Sequence, residues 1–323
     1  MGKAPYVLTV ESSSAQRDLY IGLTDRNWFE FLSRQANLDE VNFWRPGGRE
    51  LRPRPGAPFL FKLKEPLRAI VGVGFFERWV RLSIRDAWEF FGEKNGVESV
   101  GQLLQRIAHY VKRPLDEEHE IGCLLLQQPT FFAPDSWIEP PRDWKPNVVA
   151  GMYYDMNSGE GGRIWEQVRA RLGAALPPPA ISLSKPTPFG GRAKPALYLP
   201  RQGQGTFRAL VLDAYDRRCA VSGERTIPVL DAAHIVPFSE SERHELSNGI
   251  ALRSDIHRLF DKGYVSIRPD HRFVVSKRLR EDFSNGKIYY EMNEREIRIP
   301  SAESAAPSIE NLERHYNEVF KRS

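Results

Sequence analysis

The chain has 323 residues, of which 41% are hydrophobic and 27% charged, and its formal net charge is +4. This composition is typical of a folded globular protein, and at about 100–200 residues per domain the length favours two domains. The sequence has no run of about 18 apolar residues that would predict a transmembrane helix, and its first residues, MGKAPYVLTVESSS, lack the apolar core of a secretory signal. The mild positive charge permits nucleic-acid binding without requiring it.

The cysteine content limits the chemistry that the chain can use. Cys123 and Cys219 are its two cysteines, so neither a disulfide framework nor an all-cysteine zinc site is expected. A reducing compartment fits this content, as does simple burial of both thiols. We therefore expect a cytoplasmic protein with no membrane association.

The N-terminal half, up to about residue 165, is rich in aromatic residues and mixes strand and helix patterns. Strands are predicted in PFLFKLK (58–64), AIVGVGFFERWVRL (69–82) and EIGCLLLQQPTFF (120–132). Helices are predicted in SIRDAWEFFGEKNG (83–96) and SVGQLLQRIAHYVKRP (99–114). Ser83 is a suitable N-cap for the first of these helices, and Gly92 lies near its end. We therefore predict an α+β fold with strands predominating in the core.

Residues 171–204 are dense in proline and glycine and show little periodicity. They predict a partly extended linker between two domains, 1–170 and 205–323. The alternative is a long ordered loop packed on one domain.

The pattern changes after this segment. A helix is predicted in TFRALVLDAYDRRC (206–219), a strand in IPVLDAAHIVPF (227–238), and a short helix in GIALRSDIHRLFDKG (249–263). Two strands, YVSIRP and RFVVSKRL, follow, and IENLERHYNEVF (309–320) predicts a final amphipathic helix. His271 and His315 are predicted to be turn and surface residues.

Residues 230–264 contain three of the seven histidines, together with several aspartates and an asparagine. His234 lies at the end of the predicted strand, and Asn248 follows in a loop. His257 and Asp261 are four residues apart, so on a helix both side chains point the same way. An imidazole and a carboxylate on one helical face can share a divalent cation, and a histidine on the facing strand can then activate a water beside it.

Four sequence blocks in this region resemble the restriction-type HNH nucleases, also called the ββα-metal fold. They are CAVSG (219–223), AAHIVP (232–237), NGIAL (248–252) and HRLFDKG (257–263). The spacing of the last two blocks also resembles that of the colicin-type DNases. The resemblance covers about residues 205–285, and it implies a DNA endonuclease in which a hairpin and a helix together hold one metal ion.

The resemblance implies a role for each matched residue. His234 corresponds to the general base, Asn248 to the residue that ties the loop and orients the base, and His257 to a metal ligand. Asp261 fits a second ligand, or a residue that orients the metal site. Many HNH motifs place a ligand directly before the base, where this chain has Ala233. Asp231, on the same strand face as Ala233, is the candidate replacement, although it could equally cap or brace the loop.

The expected cofactor is one divalent ion, Mg²⁺ or Mn²⁺, with Ni²⁺ or Zn²⁺ possible because a histidine is among the ligands. Several arginines near the motif are candidate phosphate contacts, and each could equally be an ordinary solvated side chain. They are Arg217, Arg218, Arg253 and Arg258.

The N-terminal half resembles the PUA-like barrels, such as SRA and EVE domains, through GVGFF, a following W-x-x-F helix and the strand CLLLQQPTFF. Such domains in bacterial nucleases commonly read modified bases, often by flipping the base into a pocket. Within NFWRPGG (42–48) we predict a loop whose aromatic pair forms a stacking platform. Core packing is the alternative for each candidate pocket residue: Trp28, Phe43, Trp44, Arg45, Tyr153, Tyr154 and Asp155.

Together these resemblances predict a PUA-like β-barrel with helices, joined by the Pro/Gly linker to a C-terminal ββα-metal domain. The expected activity is cleavage of double-stranded DNA that carries a modified base, by a homodimer acting as a modification-dependent restriction enzyme. One alternative is a toxin or phage-defence nuclease whose first domain senses a protein or a small molecule. Another is a DNA-binding module whose catalytic site is degraded.

Overall fold

The computed structural model describes residues 18–47, 50–51, 53–175, 203–237 and 245–322. The chain divides into two compact units, neither of which is continuous in sequence. The first unit comprises Met1–Arg34, Leu51–Arg78 and Pro129–Leu197, and the second comprises Gln35–Glu50, Trp79–Gln128 and Tyr198–Ser323. These units do not coincide with the segments 1–170 and 205–323, so that division stays a prediction. Most of the predicted linker lies outside the described residues.

The structure contains both strands and helices, which confirms the α+β class. The strands are β1 (Leu19–Thr24), β2 (Glu40–Arg45), β3 (Pro58–Leu63), β4 (Ile70–Ser83), β5 (Glu120–Phe131), β6 (Gly151–Tyr154), β7 (Leu230–His234), β8 (Gly249–Arg253), β9 (Val265–Ile267) and β10 (Phe273–Val275). The helices are α1 (Arg26–Leu32), α2 (Ile84–Phe91), α3 (Val100–Val111), α4 (Gly159–Ala175), α5 (Gln204–Ala214), α6 (Ser254–Asp261), α7 (Lys277–Phe283), α8 (Lys287–Tyr290) and α9 (Ile309–Glu318).

The first unit is built on β1, which pairs in parallel with β3 and antiparallel with β6. Strand β3 pairs antiparallel with the first part of β4. Helix α4 contributes Ile164, Trp165 and Val168 to the apolar core that these strands form. The predicted barrel is not closed: among the described residues, β2 and β6 are edge strands with one paired neighbour each.

The second unit begins with β2, which pairs antiparallel with β5 from Glu40 opposite Gln127 to Arg45 opposite Gly122. The prediction of a loop at NFWR is therefore wrong. Residues up to Arg45 pair with β5, and the proline and glycine end the strand only after Arg45. Helix α2 begins at the predicted N-cap, where the Ser83 hydroxyl accepts a hydrogen bond from the Asp86 amide.

The C-terminal part of the second unit contains a hairpin, β7 paired antiparallel with β8, followed directly by α6. The prediction of one helix over 249–263 is wrong in its first third, because residues 249–253 pair with β7 instead. In α6 the buried residues are Ile256 and Phe260, which are four positions apart and so lie on one face of the helix. Both cysteines are buried and unpaired. No helix in the described part of the chain is long and apolar enough to cross a membrane.

Candidate functional site

The hairpin and helix α6 bring three of the predicted metal-site residues together. Asp231 lies on β7, opposite Leu252 of β8, and His257 and Asp261 lie one turn apart on α6. The His257 Nδ1 atom is 3.2 Å from a carboxylate oxygen of Asp231, and its Nε2 atom is 3.5 Å from one of Asp261. His257 therefore lies between two carboxylates, one from the hairpin and one from its own helix.

The charges of this cluster affect one another. Burial raises the pKa of Asp261, the positive charge on a protonated His257 would lower it, and the nearby Asp231 carboxylate raises it further. Two carboxylates and an imidazole form a mixed oxygen and nitrogen donor set that suits a divalent cation. Each carboxylate faces a different ring nitrogen, and no three such groups in the described ranges are already arranged around one point. Holding one cation thus requires Asp231 or Asp261 to change rotamer.

His234 ends β7, where it pairs with Gly249. Its imidazole is partly exposed and stacks on the Phe207 ring of α5, with centroids 4.1 Å apart and planes 12° apart. Side chains alternate along a strand, so His234 and Asp231 point to opposite faces of β7, with roughly 10 Å between their Cα atoms. Asp231 and His234 are three positions apart, so strand alternation alone does not bring the His234 imidazole to the His257 cluster, and the convergence of both imidazoles on one cation stays a prediction.

Asn248 closes the loop between the two strands. Its side-chain oxygen accepts a hydrogen bond from the Val236 amide and its side-chain nitrogen donates to the Val236 carbonyl, both at 2.9 Å. Its backbone carbonyl accepts from the amide of Ile235 at 2.9 Å, and its side chain is buried. Asn248 thus holds the chain that leaves His234, a geometry that suits a loop-tying residue.

The four candidate arginines are not equally available to DNA. Arg217 donates to Asp86 at 2.5 Å, and Arg253 donates two hydrogen bonds to the carboxylate of Asp255 at 2.6 and 2.8 Å. Arg218 is partly buried, and its Nε atom has no hydrogen-bond partner. Arg258, on α6 beside His257, is exposed. Of the four, Arg258 is therefore the best candidate for a phosphate contact.

The predicted base-pocket residues do not form one group. Trp28, Tyr153, Tyr154 and Asp155 belong to the first unit, and Phe43, Trp44 and Arg45 to the second.

In the first unit, the candidates already contact neighbouring residues. Trp28 is buried against Phe61, with ring centroids 5.3 Å apart. The Tyr153 ring meets Tyr20 edge-on at 4.8 Å. The Tyr154 hydroxyl donates to Asp143 at 3.1 Å. The Asp155 carboxylate accepts from the Asn157 amide and the Ser158 hydroxyl, which lowers the pKa of Asp155.

In the second unit, Phe43 and Trp44 are buried. The Trp44 indole donates to the Asn95 carbonyl at 3.0 Å. Arg45 is partly exposed, and its Nη1 atom is buried with no hydrogen-bond partner.

A cavity in the first unit is one that the sequence did not indicate. Its volume is about 590 Å³, and aromatic residues wall much of it: Phe29, Phe131, Phe132 and Trp137. Arg26 and Arg34 also line it. Since these aromatics come from α1 and from the segment around the end of β5, sequence patterns could assign them to a core but could not show the space between them.

Residues 219–268 match the family model described as HNH endonuclease, which supports the HNH domain predicted in this segment. The chain is also similar to the crystal structure of ASCH from Zymomonas mobilis, with 15% identity and a TM-score of 0.32 over 46% of this chain and 95% of that one. Two mutants of that protein match at 12% and 15% identity, with TM-scores of 0.32 and 0.33; they cover 47% and 48% of this chain and 98% and 99% of theirs. These TM-scores are too low to establish a common fold. A comparison with curated proteins gives no match.

Proposed function

We propose that the protein is a metal-dependent DNA endonuclease that hydrolyses phosphodiester bonds in double-stranded DNA. The observation that carries the proposal is the cluster of Asp231, His257 and Asp261 on a hairpin-helix unit, within a segment that matches the HNH endonuclease model. Asp231 would replace the ligand absent at Ala233; the two residues are two positions apart on β7 and so share a strand face.

In this proposal each residue has one task. His234 accepts the proton of the attacking water, and its ring at the end of β7 is partly exposed. His257, Asp261 and Asp231 would hold a divalent cation, Mg²⁺ or Mn²⁺, with Ni²⁺ or Zn²⁺ as alternatives. When bound, the cation neutralises the charge that develops on the phosphate and on the leaving oxygen. Asn248 fixes the loop after β7 and so the orientation of His234, and Arg258 contacts a neighbouring phosphate.

We further propose that cleavage depends on a modified base, as in restriction of foreign DNA, and that a homodimer supplies one site for each strand. Among the predicted pocket residues, Arg45 best fits recognition of the modified base. It is partly exposed, and its Nη1 atom has no hydrogen-bond partner. The cavity walled by Phe29, Phe131 and Trp137 is a second place where a flat base could stack.

A plasmid-nicking assay tests the nuclease proposal. The wild-type protein should nick supercoiled DNA with Mg²⁺ or Mn²⁺, and His234→Ala should lose about 10²–10⁴-fold in rate because its general base is missing. His109→Ala, an exposed histidine on α3, is the matched control and should cut normally. If wild type and His234→Ala both bind DNA and neither cuts with any of the four metals, the protein is a degraded binding module.

The recognition proposal needs a separate comparison. Unmodified, cytosine-methylated, adenine-methylated and phosphorothioate plasmids should be cut at different rates. Equal rates on all four substrates would reject modification dependence. That result would favour the alternative of an effector nuclease, for which the 590 Å³ cavity offers space for a small-molecule signal.

A further inference from the structure

Helix α5 begins without a cap of its own. Its N-cap is Gly203, which has no side chain to accept the first amides of the helix. The carboxylate of Glu40, on strand β2 of the same unit, takes this place. It accepts hydrogen bonds from the Gly205 amide at 2.8 Å and the Thr206 amide at 2.9 Å. A negative charge at a helix N-terminus also interacts favourably with the helix dipole.

The Glu40 carboxylate is fully buried, so its charge needs partners. Lys94 lies 2.8 Å from it and supplies the opposite charge. Gln127, opposite Glu40 on β5, accepts from the Gly203 amide at 2.8 Å and donates to the Thr206 hydroxyl at 3.1 Å. We call Glu40, Lys94 and Gln127 the α5 anchor.

The close fit of the anchor depends on glycine at two positions. A Cβ atom on Gly203 would overlap the Glu40 carboxylate, and one on Gly205 would lie 2.5 Å from the Phe90 carbonyl oxygen. The Phe90 carbonyl and the buried Glu40 carboxylate cannot move away without disrupting their own packing. The anchor therefore fixes the position of the start of α5.

The first turn of α5 carries Phe207, whose ring is buried and stacked on the His234 imidazole at 4.1 Å. The residue paired with His234 on β8 is Gly249, and a Cβ there would lie 3.0 Å from Phe207 Cζ and 2.5 Å from Val211 Cγ2. The helix is thus packed directly on the end of the hairpin. One face of the His234 ring is covered by Phe207, while the ring nitrogens lie at the ring edge.

We propose that Phe207 and Glu40 are positioning residues for His234. This inference rests on the proposed nuclease function, in which His234 is the general base. Proton transfer needs a ring nitrogen within about 2.6–3.2 Å of the attacking water. Stacking on Phe207 fixes the plane of the imidazole by restricting rotation about its Cβ–Cγ bond, and the α5 anchor fixes the helix that supplies the stacking ring.

Three variants test the proposal in the full-length protein. Phe207→Leu keeps an apolar side chain but removes the stack, and Glu40→Gln keeps an acceptor for one amide but removes the charge. Leu212→Ala is the matched control: it removes buried volume from the same helix, about 140° around the axis from Phe207. We expect kcat for plasmid nicking to fall about 10-fold to 100-fold in the first two variants, with KM for DNA unchanged. Leu212→Ala should lower the melting temperature yet keep kcat within about twofold of wild type.

A spectroscopic signature separates positioning from general loss of structure. Aromatic stacking shifts the NMR signals of the His234 ring protons upfield. This shift should disappear in Phe207→Leu, shrink in Glu40→Gln and persist in Leu212→Ala. If Phe207→Leu does not fold, Glu40→Gln decides through the same two measurements.

Three negative results have different meanings. An active wild type whose Phe207→Leu and Glu40→Gln variants cut at the wild-type kcat overturns the positioning role alone. If the wild-type protein fails to cut DNA with every divalent metal tested, the proposed function is rejected, and the positioning role is rejected with it. The positioning role would also be overturned if Leu212→Ala lost as much stability as the other two variants and its kcat fell equally. The fall in kcat would then reflect a general loss of structure.

Discussion

His315 is a buried histidine whose protonation should destabilise the C-terminal part of the second unit. Its ring is 3% exposed and stacks on Phe260 of α6 at 3.6 Å with planes 7° apart. Its two nitrogens lie 2.9 Å from the Ser266 hydroxyl and 3.1 Å from the Phe260 carbonyl. Burial lowers the pKa of His315 to about 4, against a smaller upward effect of the hydrogen bond to Phe260.

The direction and size of the pH effect follow from this pKa. An unfolded chain would bind the His315 proton with a pKa near 6.5, so the unfolded state takes up the proton first as the pH falls. The neutral form therefore contributes stability that is fully present above pH 6.5 and is lost as the pH falls towards 4. At pH 5 the loss relative to pH 8 is about 2 kcal/mol, and it approaches about 3 kcal/mol below pH 4. Because Phe260 lies on the helix that carries His257, acid should loosen the proposed metal site.

NMR signals of the histidine rings can follow the protonation of His315 directly. Urea unfolding at pH 8 and pH 5 would be compared for wild type, His315→Gln and His109→Gln. His315→Gln should be less stable at pH 8 but should lose about 2 kcal/mol less than wild type on going to pH 5. His109→Gln, on the exposed face of α3, should keep the wild-type pH dependence. A titration midpoint for His315 near 6.5, or an unchanged pH dependence in His315→Gln, would refute this reasoning.

Four further variants test other parts of the same unit. Gly263 has φ of +71° and a Cβ there would overlap the Val319 carbonyl, so Gly263→Ala should lower the free energy of unfolding by about 2 kcal/mol or more in calorimetry. Arg258→Ala should weaken DNA binding and reduce the slope of log affinity against log salt by about 1, measured by fluorescence anisotropy. Arg217→Ala should instead lower the melting temperature and leave that slope unchanged, because its guanidinium already pairs with a carboxylate. Asn248→Asp cannot donate to the loop carbonyl, so it should cost about 1–3 kcal/mol of stability and reduce nicking; wild-type nicking would contradict the loop-tying role.

The relative placement of candidate site residues within one helix or one strand was predictable, because it follows from their spacing in the sequence. His257 and Asp261 are one helical turn apart, so their shared face follows from the period of the helix. Asp231 and Ala233 share a strand face by the same reasoning, and the structure then places Asp231 3.2 Å from His257. Spacing within one element therefore carried most of the prediction for the proposed metal ligands.

Features that depend on distant partners were not predictable. A sequence pattern does not show that Phe43 and Trp44 pair with β5, so the loop prediction there was wrong. The pattern around His315 is that of an amphipathic surface helix, yet the ring is buried against Phe260 and Ser266. The period of a helix indicates which side chains share a face, but not which element covers that face.

The same limit explains why the support of His234 was missed. Within the HNH-like segment, His234 is an isolated histidine at the end of a short hairpin, and two-stranded hairpins are marginal alone in water. In the structure both α5 and α6 pack against this hairpin, α5 through Phe207. Since α5 is capped by Glu40, which lies about 165 residues earlier in the chain, the hairpin in this protein depends on residues outside the matched segment. A fragment cut at residue 205 would lack Glu40 and Gln127, so its α5 would begin with unsatisfied amides and its His234 would lose its fixed neighbour.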